Sequence, residues 1–98
     1  MRLKGKKCIV TGGSSGIGEA TVRRFISEGA EVLIADINLE DSKKLSEEIG
    51  EGVDYIKCDV RLESDIISVS EKAYGMWDQV DVLVNNAGSE LNQSYDKM

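Results

Sequence analysis

The sequence predicts an α/β fold: a doubly wound parallel sheet with helices on both faces, built in the order βαβαβαβ. Three observations predict it. Short apolar runs alternate with longer amphipathic segments along the chain. Two of the runs, Cys8-Ile9-Val10 and Val32-Leu33-Ile34-Ala35, are apolar without alternation, the mark of strands covered on both faces. Gly29 and Gly50 stand where amphipathic segments stop, as helix C′ glycines do.

The first strand, centred on Cys8-Ile9-Val10, runs into a glycine-rich turn, Thr11-Gly12-Gly13-Ser14-Ser15-Gly16-Ile17-Gly18. From about Gly16 to Glu28, the apolar residues Ile17, Ala20, Val22, Phe25 and Ile26 fall roughly on one helical face. The second strand closes at Asp36. Asn38 is placed to cap the next helix, with Asp41 as a weak capping-box partner. Leu39, Leu45 and Ile49 give that helix a thin apolar stripe. Val53 to Cys58 reads as the third strand and ends at Asp59-Val60. Ile66, Val69, Ala73 and Trp77 are spaced three, four and four, a helical face with Trp77 in the core. Val80 to Val84 forms the fourth strand and leads into Asn85-Asn86-Ala87-Gly88. Residues 1–88 make one domain, and 89–98 are a polar tail without periodicity.

The composition excludes several classes. A chain of 98 residues has room for one small core. Eighteen acidic residues against 12 basic ones give a net charge of −6, which disfavours nucleic acid and anionic membrane surfaces as partners. With no histidine and two cysteines, a Cys/His zinc site and Ser-His-Asp or Cys-His catalysis are not expected. Cys8 and Cys58 fall in the first and third strands, and both read as small buried hydrophobes in a reducing, cytoplasmic setting. The basic start is followed by three apolar residues, too few for a signal-peptide core. No run approaches the ~20 apolar residues of a membrane span.

A doubly wound sheet binds its ligand beyond the carboxyl ends of its strands. Those ends carry the glycine turn, Asp36, Asp59-Val60 and Asn85 to Gly88. Gly12, Gly16 and Gly18 let backbone approach a phosphate closely, and the following helix offers free N–H groups and a positive dipole end. Ser14 and Ser15 add hydroxyl donors. No lysine follows the glycines, so this is not a nucleoside-triphosphate loop. Asp36 lies 18 residues after Gly18, near the offset at which an acid accepts from an adenosine ribose. A carboxylate there repels a 2′-phosphate, and Ala35 and Ile37 flank it, so the pattern predicts NAD in preference to NADP. Asp59 is placed to accept from the adenine amino group and Val60 to cover the ring. The plainer reading of Asp59 is a helix cap or a solvated charge. Asn85 and Asn86 are placed to bridge neighbouring strand ends, and the small Ala87 and Gly88 leave room for a ribose.

These motifs, in this order and spacing, resemble the classical short-chain dehydrogenase/reductase family over residues 4–88. The resemblance implies a Rossmann domain with strand order 3-2-1-4 and the oxidation or reduction of alcohols and carbonyls with NAD(H) or NADP(H). It implies that Gly12, Ser14, Ser15, Gly16, Ile17 and Gly18 line the pyrophosphate and adenosine side. Asp36 would hold the ribose, Asp59 and Val60 the adenine, and Asn86, Ala87 and Gly88 the cofactor near its centre. The family's catalytic Ser and Tyr-x-x-x-Lys lie well beyond its Asn-Asn-Ala-Gly turn. Here Tyr95 and Lys97 are two apart and do not share a helical face, so they read as surface residues and no residue is assigned as catalytic. The chain resembles the cofactor-binding half of such an enzyme. A non-catalytic nucleotide-binding or self-assembling fragment is the alternative. The outer edge of the fourth strand is expected to be unpaired and to promote homo-oligomers.

Overall fold

A computed structural model describes residues 2–14 and 16–86. Four strands, β1 (Lys7–Thr11), β2 (Glu31–Asp36), β3 (Val53–Lys57) and β4 (Val82–Asn85), alternate with α1 (Gly16–Ser27), α2 (Leu39–Ile49) and α3 (Glu63–Met76). All strand pairs are parallel, in the order β3-β2-β1-β4. Ile9 of β1 is in register with Leu33 of β2 on one side and Leu83 of β4 on the other.

The two central strands are buried from Cys8 to Thr11 and from Val32 to Asp36. Their side chains alternate between two cores, as the pleat requires. Cys8, Val10, Val32 and Ile34 pack with Val22 of α1 and Leu45 of α2. Ile9, Leu33 and Ala35 pack on the opposite face with Cys58, with Val69 and Ala73 of α3, and with Trp77. This division makes the sheet doubly wound. Both cysteines are buried and free, and burial raises both thiol pKa values.

Local chemistry sets the helix ends. Gly29 has φ 92°, and its N–H reaches the Ile26 carbonyl while Ala30 N–H reaches that of Phe25. This is the paired bonding of a Schellman stop. The Asn38 carboxamide accepts from Asp41 N–H at 3.0 Å and donates to the Asp41 carboxylate at 2.8 Å, capping α2. Gly50 closes α2 with φ 92° and an N–H bond to Ser46. α3 has no side-chain cap, but Glu63 and Asp65 in its first turn face the positive end of the dipole.

Four apolar positions of the expected helical stripes, Ile17, Ala20, Leu39 and Ile66, are exposed, whereas Trp77 is in the core as expected. Ile17 is 76% exposed, because α1 crosses the sheet on its Gly18-Val22-Phe25 stripe and this turns Ile17 outward. Ile66 is 49% exposed, because α3 docks through Val69, Ala73 and Trp77 and leaves the Ile66 flank over an open cleft. Trp77 lies just past the helix, in extended backbone, yet its ring is buried and its Nε1 donates to Glu31. Among the described residues, no helix is long and apolar enough to cross a membrane, and no group of three acidic, Cys or His residues is placed to hold a metal.

Candidate functional site

Because every strand is parallel, the carboxyl ends of β1, β2, β3 and β4 share one edge. The turn after β1 is anchored to β2 by a Gly12 N–H bond to the Ala35 carbonyl, 2.8 Å. Gly12 and Gly16 have φ of 65° and 56°, which side-chain-bearing residues rarely adopt. Gly18 serves a different need. A Cβ there would stand 1.9 Å from the Gly12 carbonyl oxygen, so α1 starts in backbone contact with the turn. Gly13 was not singled out by sequence, yet a Cβ there would press on Val10, Val22 and Ile34 at 3.1–3.3 Å. Nothing lies within 4 Å of a Cβ built on Gly16, so the turn is open on that side. The first N–H groups of α1 have no intrahelical acceptor and carry the positive end of the dipole. An open glycine turn against a 12-residue helix matches what a pyrophosphate requires.

Asp36 ends β2 and is 7% exposed. Its Oδ2 accepts from the Ser14 N–H at 3.0 Å and from the Ser14 hydroxyl at 2.5 Å. Its Oδ1 accepts from the Asn38 N–H at 2.8 Å. The carboxylate is thus held between the glycine turn and the cap of α2. Sequence reading named both Ser14 and Asp36 but not their bond, which joins residues 22 apart.

Asp59 lies in the turn between β3 and α3. Its carboxylate accepts from the Arg61 N–H and guanidinium at 2.9–3.0 Å. Those bonds lower its pKa to about 2. Its N–H donates to Asp65, and its carbonyl accepts from Leu62, so it also frames the start of α3. Arg61 was absent from the sequence reading, although its position two residues after Asp59 was visible there. Val60 packs at the edge of the α3-side core.

The end of β4 is tied to β1. The Thr11 hydroxyl lies 3.2 Å from both the Val84 carbonyl and Asn85 Oδ1. Asn86 Nδ2 donates to the Gly12 carbonyl at 3.2 Å. The structure therefore places Gly12, Ser14, Gly16, Ile17, Gly18, Asp36, Asp59, Val60 and Asn86 at one edge. Ser15, Ala87, Gly88 and the tail lie outside the described residues. On the α3 face, a cleft of about 330 Å³ opens between α3 and β4, lined by Ile9, Val60, Ile66, Tyr74, Leu83 and Asn85 among others.

Comparison with known proteins gives consistent results. A family model described as short chain dehydrogenase matches residues 6–98. The chain is 41% identical over 87 residues to (21S)-21-acetoxyl-apo-melianone synthase SDR of Melia azedarach, covering 89% of this chain and 32% of that protein. It is 39% identical over 89 residues to 3beta-hydroxysteroid dehydrogenase 2 of Eggerthella lenta, covering 88% and 34%. Among solved structures, 3-ketoacyl-(acyl-carrier-protein) reductase from Brucella melitensis, complexed with NADH, superposes with a TM-score of 0.80 at 33% identity, over 83% of this chain and 33% of that one. The chain spans about a third of the length of these relatives.

Proposed function

The chain belongs to the short-chain dehydrogenase family, and from that premise we propose that it carries the dinucleotide-binding half of an NAD-dependent oxidoreductase acting on an alcohol or carbonyl. The observation that carries this reading is the placement of an open glycine turn and a buried strand-end carboxylate, joined by the Ser14–Asp36 bond. In this reading Gly12, Ser14, Ser15, Gly16, Ile17 and Gly18 line the pyrophosphate and adenosine side, and the first N–H groups of α1 face the pyrophosphate. Asp36 accepts from the adenosine ribose, and its negative charge disfavours a 2′-phosphate, so NAD is preferred over NADP. Val60 covers the adenine. Asp59 reaches the adenine amino group from a site where it already accepts from Arg61. Asn86, Ala87 and Gly88 lie against the centre of the cofactor, while Asn85 braces the strand end. When bound, NAD supplies hydride exchange with the substrate.

The sequence holds no Tyr-x-x-x-Lys pattern, and turnover by these 98 residues alone is not expected. In the alternative reading, the chain is a nucleotide-binding or self-assembling module without catalysis. The strand order favours assembly, since among the described residues no strand pairs with the outer side of β4. A cytoplasmic location is part of the proposal. Titrating NADH into the chain and following its fluorescence tests the cofactor reading. Saturable binding supports it, and its absence in a sample folded by circular dichroism contradicts it. A panel of alcohols with NAD tests the second claim, and hydride transfer by the chain alone contradicts it.

A further inference from the structure

We propose that the cleft between α3 and β4 is a docking groove for one amphipathic α-helix with basic flanks, supplied by a partner protein. This surface stands whether or not a dinucleotide binds at the glycine turn.

One row of residues across the sheet locates the groove. Leu33, Ile9 and Leu83 are in register on β2, β1 and β4. The pleat turns all three to the α3 face. Leu33 is 0% exposed, Ile9 7% and Leu83 55%. The cover that α3 gives to β2 and β1 therefore stops before β4. A helix with its side chains is about 10–12 Å wide and strands lie about 4.8 Å apart, so one helix covers about two strands. A second helix beside α3 fits over β4. The cleft there is walled by Ile66 and Tyr74 of α3 on one side and by Val80 and Leu83 on the other. At its end the Thr11 hydroxyl and Asn85 Oδ1 lie 3.2 Å from each other. The walls thus offer apolar surface to an occupant, as helix-binding grooves do.

Charge decides which helix. On α3, Ile66, Ser70 and Tyr74 form one i, i+4 ridge, the wall of the cleft. Glu63, Ile67 and Glu71 form the next ridge outward, and all three are exposed. From Asp59 to Asp81 the chain has six acidic residues and two basic ones. Both bases are engaged elsewhere. Arg61 pairs with Asp59 at 2.9 Å, and Lys72 pairs with Asp54 of β3 at 3.3 Å, on the far side of α3. Glu63, Glu71 and Asp78 are exposed and have no hydrogen bond or ion pair among the described residues. An apolar groove with an uncompensated acidic rim attracts lysine and arginine flanks. A second copy of this chain fits it poorly. It would bring the same acidic ridge and a net charge of −6, and like charges across an interface oppose binding.

The test uses a fluorescein-labelled synthetic peptide of the length of α3, 14 residues, with leucine at i, i+3, i+4 and i+7 and lysine on both flanks. Two controls accompany it: the same composition in scrambled order, and the same leucine face with glutamate flanks. Anisotropy titrations with the 98-residue chain give the dissociation constants, and circular dichroism verifies each variant's fold. The lysine-flanked peptide is expected to bind saturably and at least about tenfold more tightly than either control. The Ile66→Ser, Tyr74→Ser double variant is expected to weaken it about tenfold or more, as loss of apolar anchors does. The Glu63→Gln, Glu71→Gln double variant is expected to weaken it about threefold and to flatten its salt dependence. These two side chains are exposed carboxylates, so this variant carries the test if the other does not fold. Equal binding of the scrambled or glutamate-flanked peptide overturns the proposal. So does lysine-peptide binding that neither double variant weakens. Self-association in light scattering that Ile66→Ser, Tyr74→Ser abolishes also overturns it, since the occupant is then a second copy.

Discussion

Asn86 donates from Nδ2 to the carbonyl of Gly12 at 3.2 Å, joining the residue after β4 to the glycine turn after β1. The same carbonyl is the group that forbids a side chain at Gly18. One backbone oxygen thus connects the end of β4, the turn and the start of α1. Asn86→Ala removes the donor and is expected to cost about 0.5–1.5 kcal/mol. In a domain of this size that is a fall in Tm of about 4–8 °C per kcal/mol. Thermal denaturation followed by circular dichroism measures it, and an unchanged Tm shows that the bond contributes nothing.

Gly18→Ala sets a methyl group 1.9 Å from the Gly12 carbonyl, a backbone atom that cannot yield without moving the turn. The expected cost is about 3 kcal/mol or more, enough to unfold a marginal domain. Gly75→Ala is the control. Gly75 lies near the end of α3 with nothing within 4 Å of its Cβ position, so alanine there is expected to stabilise by about 0.5 kcal/mol. Urea denaturation of the pair checks both signs.

Asp59 gives a prediction in pH. Its bonds to Arg61 lower its pKa from 3.8 to about 2. A carboxyl group whose folded pKa is lowered stabilises the fold above its unfolded value. That contribution is complete above about pH 4 and is lost as the pH falls toward 2. In Arg61→Ala the Asp59 titration is expected to move back toward 3.8, and the low-pH loss that Asp59 causes is expected to shrink. An NMR titration of the Asp59 carboxyl carbon reads the shift, and a midpoint that stays near 2 assigns it to another cause.

The edge of β4 gives a prediction in mass. Val82-Leu83-Val84 is an uncharged edge strand without proline, and its outer edge has no neighbour among the described residues. Sedimentation velocity is expected to show concentration-dependent association that Leu83→Lys reduces. A monomer at every concentration contradicts the self-association proposal.

The legible and illegible parts of this molecule divide along a physical line. Sequence-local signals were sufficient for the strands, for the Asn38 cap and for the stops at Gly29 and Gly50, because each depends on neighbours a few residues away. The strand order followed from the family resemblance. Burial was less legible. Ile17 and Ile66 lie on apolar stripes, but a stripe gives periodicity and not which part of it another element covers. The Ser14–Asp36 bond was out of reach of local reading, since it depends on β1 and β2 ending side by side at residues 22 apart. Gly13 was missed because its constraint is the closeness of Val10, Val22 and Ile34, which only the folded packing reveals.

The central claim is that Asp36 reads an unmodified adenosine ribose. Its most direct test is a side-by-side titration of NADH and NADPH into wild type and Asp36→Asn, with the fold of each verified. The account predicts saturable NADH binding by wild type, weaker NADPH binding, and loss of that preference in Asp36→Asn, where the carboxylate charge is gone. Equal affinity of wild type for the two dinucleotides, or an NADH preference that survives Asp36→Asn, would contradict it.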